Sequence, residues 1–139
     1  MIDPLQASIQ IASSGLEAQS TRLRVVSENL ANANSTGRTA GAEPYRRKTT
    51  TFTAEMDRAA GVPVVKIKDI GVDRAPFRVD YEPNHPAADQ DGYVKLPNVN
   101  SLIEMADMRE TNRTYEANLQ VIKQASSMVA MTIDLLKGA

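Results

Sequence analysis

Apolar residues recur at every seventh position along residues 2–30. Ile2, Ile9, Leu16, Leu23 and Leu30 form one row, and Leu5, Ala12, Gln19 and Val26 form a second beside it. Two interleaved rows of this kind are the seam of a helix built to pack on another helix. Near the other end Met105, Asn112, Leu119, Ser126 and Ile133 make one row, with Met108, Tyr115, Ile122, Val129 and Leu136 as the second. The segment between follows a two-residue repeat instead. Val65 and Ile67 alternate with Lys66 and Lys68, and Phe77, Val79 and Tyr81 alternate with Arg78 and Asp80, the pattern of half-buried strands. Tyr45 to Thr53 is rich in β-branched and aromatic residues and predicts a further strand, and Tyr93 to Leu96 a short extended piece. The prediction is an α+β fold, mainly α: two long terminal helices paired as a coiled-coil-like hairpin, with a small β region between them. Residues 1–35 hold the first helix, 36–98 the β-rich middle with a Pro-rich loop, and 99–139 the second helix, the two helices forming one domain.

Local signals mark the ends of these elements. Asp3 before Pro4 is a helix start, because Asp accepts from freed N–H groups and Pro at the first helical position loses no intrahelical bond. Gln6 stands where a capping-box partner belongs. Asn32, Asn34, Ser35, Thr36 and Gly37 then gather turn formers. Gly15 is the weak point inside the first helix, at a cost of about 1 kcal/mol relative to Ala. Ser101 and Glu104 have the spacing of a reciprocal cap for the second helix, and Gly138 predicts a left-handed residue after its end. Residues 36–44 read as a flexible loop, Gly71 to Pro76 as a strand connection, and Glu82 to Gly92 as a polar loop that is ordered only if something packs on it.

Composition sharpens this picture. With 139 residues, 4% aromatic and no Trp, the chain is poor in the residues that build a large globular core. A net charge of -1 gives no electrostatic reason to expect nucleic acid or an anionic membrane as partner. The absence of cysteine excludes disulfides, thiolate metal sites and a Cys nucleophile. No segment has the pattern of a secretory signal or the roughly 18 consecutive apolar residues of a membrane span, so neither a cleaved secretory signal nor a membrane span is expected. The helices are also depleted of charge. Residues 3–21 carry only Asp3 and Glu17, and residues 117–133 only Lys123, whereas a solvated helix surface normally carries many. Faces of this composition are suited to contact with neighbours.

Candidate chemistry is sparse. His85, the single histidine, lies between Asn84 and Pro86 without a visible acid, base or ligand partner, and reads as a loop residue. Asp89-Gln-Asp91-Gly92 echoes the start of a calcium loop, but the later Gly and Glu positions do not fit. Arg46-Arg47-Lys48 lacks interleaved aromatics and reads as a solvated or salt-bridged strand edge. Asp107 to Glu116 mixes carboxylates with Arg109 and Arg113, which ion pairs on a helix surface explain. The residues point to no catalytic site, no metal and no cofactor.

Glu28-Asn29-Leu30-Ala31-Asn32-Ala33-Asn34, closing the first helix, resembles the N-terminal signature of the axial proteins of the bacterial flagellum, the family of rod, hook and hook-associated proteins. Tyr115-Glu116-Ala117-Asn118, inside the second helix, is similar to their C-terminal Tyr-x-Ala-Asn motif. Asn84-His85-Pro86 to Asp89, followed by Gly92-Tyr93 and Pro97-Asn98, is similar to the stretch typical of the short proximal-rod members. The wider family follows its Asn-rich motif directly with Gly-Tyr-Lys or Gly-Tyr-Arg. Here Gly37-Arg38 is followed by an insertion and Tyr45-Arg46 comes later, so strand register between 35 and 48 is not carried over.

The resemblance implies a non-enzymatic subunit of a hollow helical shaft in the flagellar basal body. It would be exported unfolded by the flagellar type III apparatus and assembled in the periplasm with copies of itself and other rod proteins. The heptad rows would then be assembly surfaces. Two other readings stay open on the residues: another short axial protein, and a small non-catalytic or hydrolytic globular domain.

Overall fold

The computed structural model describes residues 3–138, which leaves Ile2 of the first heptad row outside the described residues. Helix α1 spans Pro4–Ala31. Strands β1 (Lys48–Asp57), β2 (Val62–Val72), β3 (Arg78–Tyr81) and β4 (Tyr93–Leu96) follow, and helix α2 spans Ser101–Lys137. The result is the mainly helical α+β arrangement expected from the two periodicities.

The first helix is capped as its sequence predicts, Asp3 Oδ1 accepting from the Leu5 N–H at 3.0 Å. The second is not. Asn100, rather than Ser101, supplies the cap: its Oδ1 accepts from Leu102 N at 3.0 Å and Ile103 N at 3.4 Å. The Ser101–Glu104 box does not form because Glu104 turns away from the helix end into a buried ion pair, Arg47 Nε donating to its Oε1 at 2.6 Å. Gly138 is not left-handed either. Its N–H continues the helical pattern to Asp134 O at 3.0 Å, and the left-handed glycines are Gly41, Gly61 and Gly92.

β1 and β2 pair as a two-stranded sheet across a turn organised by Asp57. Its Oδ1 accepts from Ala59 N at 2.9 Å and Ala60 N at 3.1 Å, and these N–H groups hold its pKa below the ordinary carboxylate value. β1 begins three residues later than the β-branched run predicts. The backbone of Arg47 is taken elsewhere, its N–H donating to Asn98 Oδ1 at 2.8 Å and its carbonyl accepting from Asp73 N at 2.8 Å. β2 continues through Gly71 to Val72, so the connection to β3 starts only at Asp73.

β3 and β4 are antiparallel, with Arg78 opposite Leu96 and Tyr81 opposite Tyr93. The long loop between them orders itself. Asp89 Oδ1 accepts from Asp91 N at 3.0 Å and Tyr93 N at 2.9 Å, and Glu82 N donates to Gly92 O at 2.9 Å. Gly92 has φ of 86°, and a Cβ there would stand 3.0 Å from the Tyr81 ring and 3.1 Å from Pro83, so only glycine closes this loop. The 36–44 loop is tied to the same loop by Gly41 N donating to Ala87 O at 3.1 Å.

Two compact units result: Met1–Leu23 with Thr51–Asp69 and Glu110–Ala139, and Arg24–Thr50 with Ile70–Arg109. The first has Ala12, Ala18, Val62, Val64 and Ala125 as its buried apolar residues. There β2 meets α1 through Val65 N donating to Ser14 Oγ at 3.1 Å, and the β1 end through Gln10 Nε2 donating to Asp57 Oδ2 at 2.9 Å. The second buries Val25, Val26, Ala33, Ala87, Val94 and Val99. These cores consist of Ala and Val, and the largest fully buried side chains include Glu104, Asn29 and Thr111. Polar groups therefore carry much of the internal specificity.

Candidate functional site

Asn29, in the last turn of α1, is the centre of a closed hydrogen-bond network in the second unit. Its Nδ2 donates to Lys48 O at 2.9 Å and to Glu104 Oε2 at 3.1 Å. Its Oδ1 accepts from the Tyr45 hydroxyl at 2.7 Å and from Lys48 N at 2.8 Å. Both donors and both lone pairs of the amide are used, the condition for burying such a group without penalty. Tyr45, displaced along the sequence by the insertion after Arg38, thus returns to Asn29.

The basic cluster is consumed by the same region. Arg47 pairs with Glu104 and, at 3.8 Å, with Asp73; Lys48 pairs with Glu28; Arg46 lies 4.1 Å over the Phe77 ring. Asn98 fixes the strand connection by donating to Asp73 O at 3.0 Å and Ala75 O at 3.1 Å.

Burial, together with the carboxylates of Glu28 and Glu104, pushes the Tyr45 hydroxyl up to about 12. Because the folded value lies above the ordinary 10.0, the contribution of neutral Tyr45 is fully present below pH 10 and is lost as pH rises towards 12. We expect one of the chain's four tyrosines to ionise late in an ultraviolet titration, with the urea midpoint falling over that window. Tyr45→Phe should remove the late phase, and its persistence in that variant would contradict the assignment.

Asn29 is one rung of a ladder at heptad spacing. Gly15, Arg22 and Asn29 on α1 stand seven apart, as do Glu104, Thr111 and Asn118 on α2. In the first unit a Cβ on Gly15 would come within 2.8 Å of Asn118 Nδ2, so glycine is what admits Asn118. Arg22 pairs with Glu110 at 3.8 Å, next in sequence to the fully buried Thr111. In the second unit Asn29 meets Glu104. Gly15 is therefore a close-approach residue rather than a defect in the helix.

The predicted seam residues fall into three groups. On α1, Leu5, Ile9, Leu16, Gln19, Leu23 and Leu30 are half-buried, and Ala12 and Val26 are buried. On α2, Met108, Ile122 and Val129 are half-buried. The remaining α2 residues, Met105, Asn112, Tyr115, Leu119, Ser126, Ile133 and Leu136, are exposed. The apolar row from Met105 to Ile133 thus faces outward, and the row through Glu104, Thr111 and Asn118 takes the inward place. The inward row has partners in Asn29, Arg47 and the gap at Gly15. Leu102, Met131 and Leu135 are exposed on other sides of α2, Leu102 at 78%.

Of the motif residues, Asn29, Gly92 and Pro97 are buried, Asn32, His85, Asn98 and Asn118 half-buried, and Ala31, Asn34, Asn84, Pro86, Tyr93, Tyr115 and Ala117 exposed. His85 Nδ1 accepts from Ala87 N at 3.0 Å, a turn contact within the loop. Among the described residues no group of three or more His, Cys, Asp or Glu is placed to hold a metal ion. Among them also, no helix is long and apolar enough to cross a membrane. The roles of Glu104, Thr111, Arg47 and Gly15 were missed in the sequence, although a heptad repeat of small and polar residues beside the apolar rows was there to be read.

Comparison with known proteins agrees with this architecture. Residues 9–38 match the family described as Flagella basal body rod protein, and residues 90–135 match Flagellar basal body rod FlgEFG protein C-terminal. The chain is 64% identical to the flagellar basal-body rod protein FlgC of Agrobacterium fabrum over 99% of both chains. It is 42% identical to FlgC of Escherichia coli O6:H1 over 90% of this chain and 92% of that one. With FlgC of Borreliella burgdorferi the identity is 38% over 96% and 99%. The two matched families fall on the two helices, and the relatives are matched over nearly their full length: the chain belongs to the FlgC family of flagellar basal-body rod proteins, and it is a structural subunit of the rod.

Proposed function

We propose that this subunit polymerises through α1 and α2 into the proximal part of a hollow axial shaft, alongside copies of itself and other rod proteins. The observation that carries this is the exposed apolar row of α2, Met105, Leu119 and Ile133, with Leu102, Met131 and Leu135 exposed on other sides of the same helix. A helix of 37 residues that turns a small and polar row inward and leaves an apolar row exposed is built for neighbours. The terminal helices would form the inner wall and the β region the outer contacts between subunits. Export in an unfolded state through the flagellar type III apparatus, without a cleaved signal peptide, and assembly in the periplasm complete the proposal. The cysteine-free chain is compatible with that route.

Deletion and complementation test it. Cells lacking the chain should build no rod and not swim, and a tagged copy should restore both, with gold label on the rod in micrographs of isolated basal bodies. Intact rods in the deletion strain, or label confined to hook or filament, would sink the proposal.

A further inference from the structure

We infer that the polar ladder selects which face of α2 turns inward, and so keeps the apolar row outward for neighbouring copies. The inference rests on the assembly role just proposed for that row.

Judged by apolar content alone, α2 should pack on α1 through the two rows that contain Met105 and Met108. The structure instead uses the row one residue earlier, Glu104, Thr111 and Asn118, together with the half-buried Met108, Ile122 and Val129. At about 100° per residue, exchanging the Met105 row for the Glu104 row while keeping the Met108 row turns the seam by roughly 50° about the helix axis. Something must favour this rotation over the one that buries more Leu, Met and Ile.

The ladder supplies it. Glu104 is fully buried, and its two oxygens are bound by different elements, Oε1 by Arg47 and Oε2 by Asn29. Asn29 is itself satisfied only while Glu104, Tyr45 and Lys48 all stay in place. In the first unit Asn118 fills the space that Gly15 leaves open, and Thr111 is fully buried. Buried polar groups add little net stability, but they discriminate between packings, because a rotation that carries Glu104 out of the seam leaves Asn29 Nδ2 and Arg47 Nε without their carboxylate partner. The ladder therefore determines orientation, and the outward apolar row is a consequence of it.

The test uses the full-length chain, which has no native cysteine. Gly15→Cys with Asn118→Cys reports the ladder rotation by disulfide formation, and Leu119→Cys alone reports outward exposure by its alkylation rate. With Glu104 and Thr111 unchanged, the disulfide should close readily and Leu119→Cys should react as an exposed thiol. Glu104→Ala with Thr111→Ala removes the directed contacts and keeps helix propensity. In that background we expect disulfide yield and alkylation rate each to fall at least fivefold, with helical circular dichroism retained. Glu104→Gln keeps one of the two acceptors and turns a donor N–H towards Arg47 or Asn29, so both readouts should fall between those of the unchanged ladder and the double-alanine background.

An unchanged disulfide yield in the double-alanine background would overturn the inference. So would loss of the disulfide with alkylation still fast, since that means loosening or unfolding rather than rotation. These readouts concern one subunit. If they come out as expected while the rod tests fail, the assembly role falls and the ladder stands.

Discussion

Asn29→Leu is expected to destabilise the fold by about 3–5 kcal/mol, enough to unfold much of the population of a small domain. Leucine keeps the branched four-atom skeleton of asparagine and is the larger of the two, so the effect is one of unsatisfied groups rather than of a cavity. The substitution strips a partner from Lys48 N, Lys48 O, the Tyr45 hydroxyl and Glu104 Oε2 at once. Each buried group left unpaired costs about 1–3 kcal/mol, with partial relief through water. Asn29→Asp makes a second, more specific test. It keeps the acceptor for Tyr45 and Lys48 N but sets a carboxylate against Glu104, and two carboxylates sharing a buried site cannot both ionise easily. Its deficit should therefore be largest at neutral pH and shrink as pH falls into the carboxylate range near about 4. Urea midpoints across pH measure both variants. A midpoint for Asn29→Leu within error of the parent chain would show that the network is not holding the end of α1 to β1 and α2.

How much of this was legible beforehand follows from the kind of interaction involved. The helices and strands were written in periods that depend only on local geometry, and Asp3, Pro4 and the Val65-Lys66-Ile67 alternation needed nothing distant to be read correctly. The misread features are those in which a remote partner competes with a local one. Ser101 and Glu104 have capping-box spacing, yet Arg47, 57 positions earlier in sequence, takes the carboxylate. Gly138 has the sequence position of a left-handed cap, but the helix continues its bonding instead. The strand start at Tyr45 fails because Asn98 claims the backbone of Arg47. The seam residues also depend on a remote partner. Apolar rows show that α2 has a large apolar face, but whether that face meets α1 or a neighbour is decided by Asn29 and Gly15, which lie in another element. The motif residues were recognisable, whereas their work was not: Asn29 is a buried hub, while Asn34 and Ala117 are exposed.

Leu119→Asp and Leu16→Asp should both abolish rod formation and swimming, by physically different routes. Leu16 is half-buried on α1, so a carboxylate there is partly desolvated without a partner and costs about 2–4 kcal/mol within the subunit itself. Leu119 is 36% exposed on the outward row, so Asp can remain hydrated there while the subunit is alone. Its unfolding midpoint should move little, by about 1 kcal/mol or less. In a packed shaft the same charge would be buried against a neighbour with nothing to neutralise it, a penalty of several kcal/mol that recurs in every copy. Leu119→Asp therefore separates assembly from folding: normal amounts of folded subunit, no rods in micrographs of basal bodies and no spreading on soft agar. Leu119→Ala should retain assembly in part, because it lessens the apolar contact without introducing a charge. Wild-type swimming with intact rods in Leu119→Asp would show that the outward row of α2 remains solvated in the shaft. In that event assembly would have to run through the β region and the half-buried rows of α1 instead.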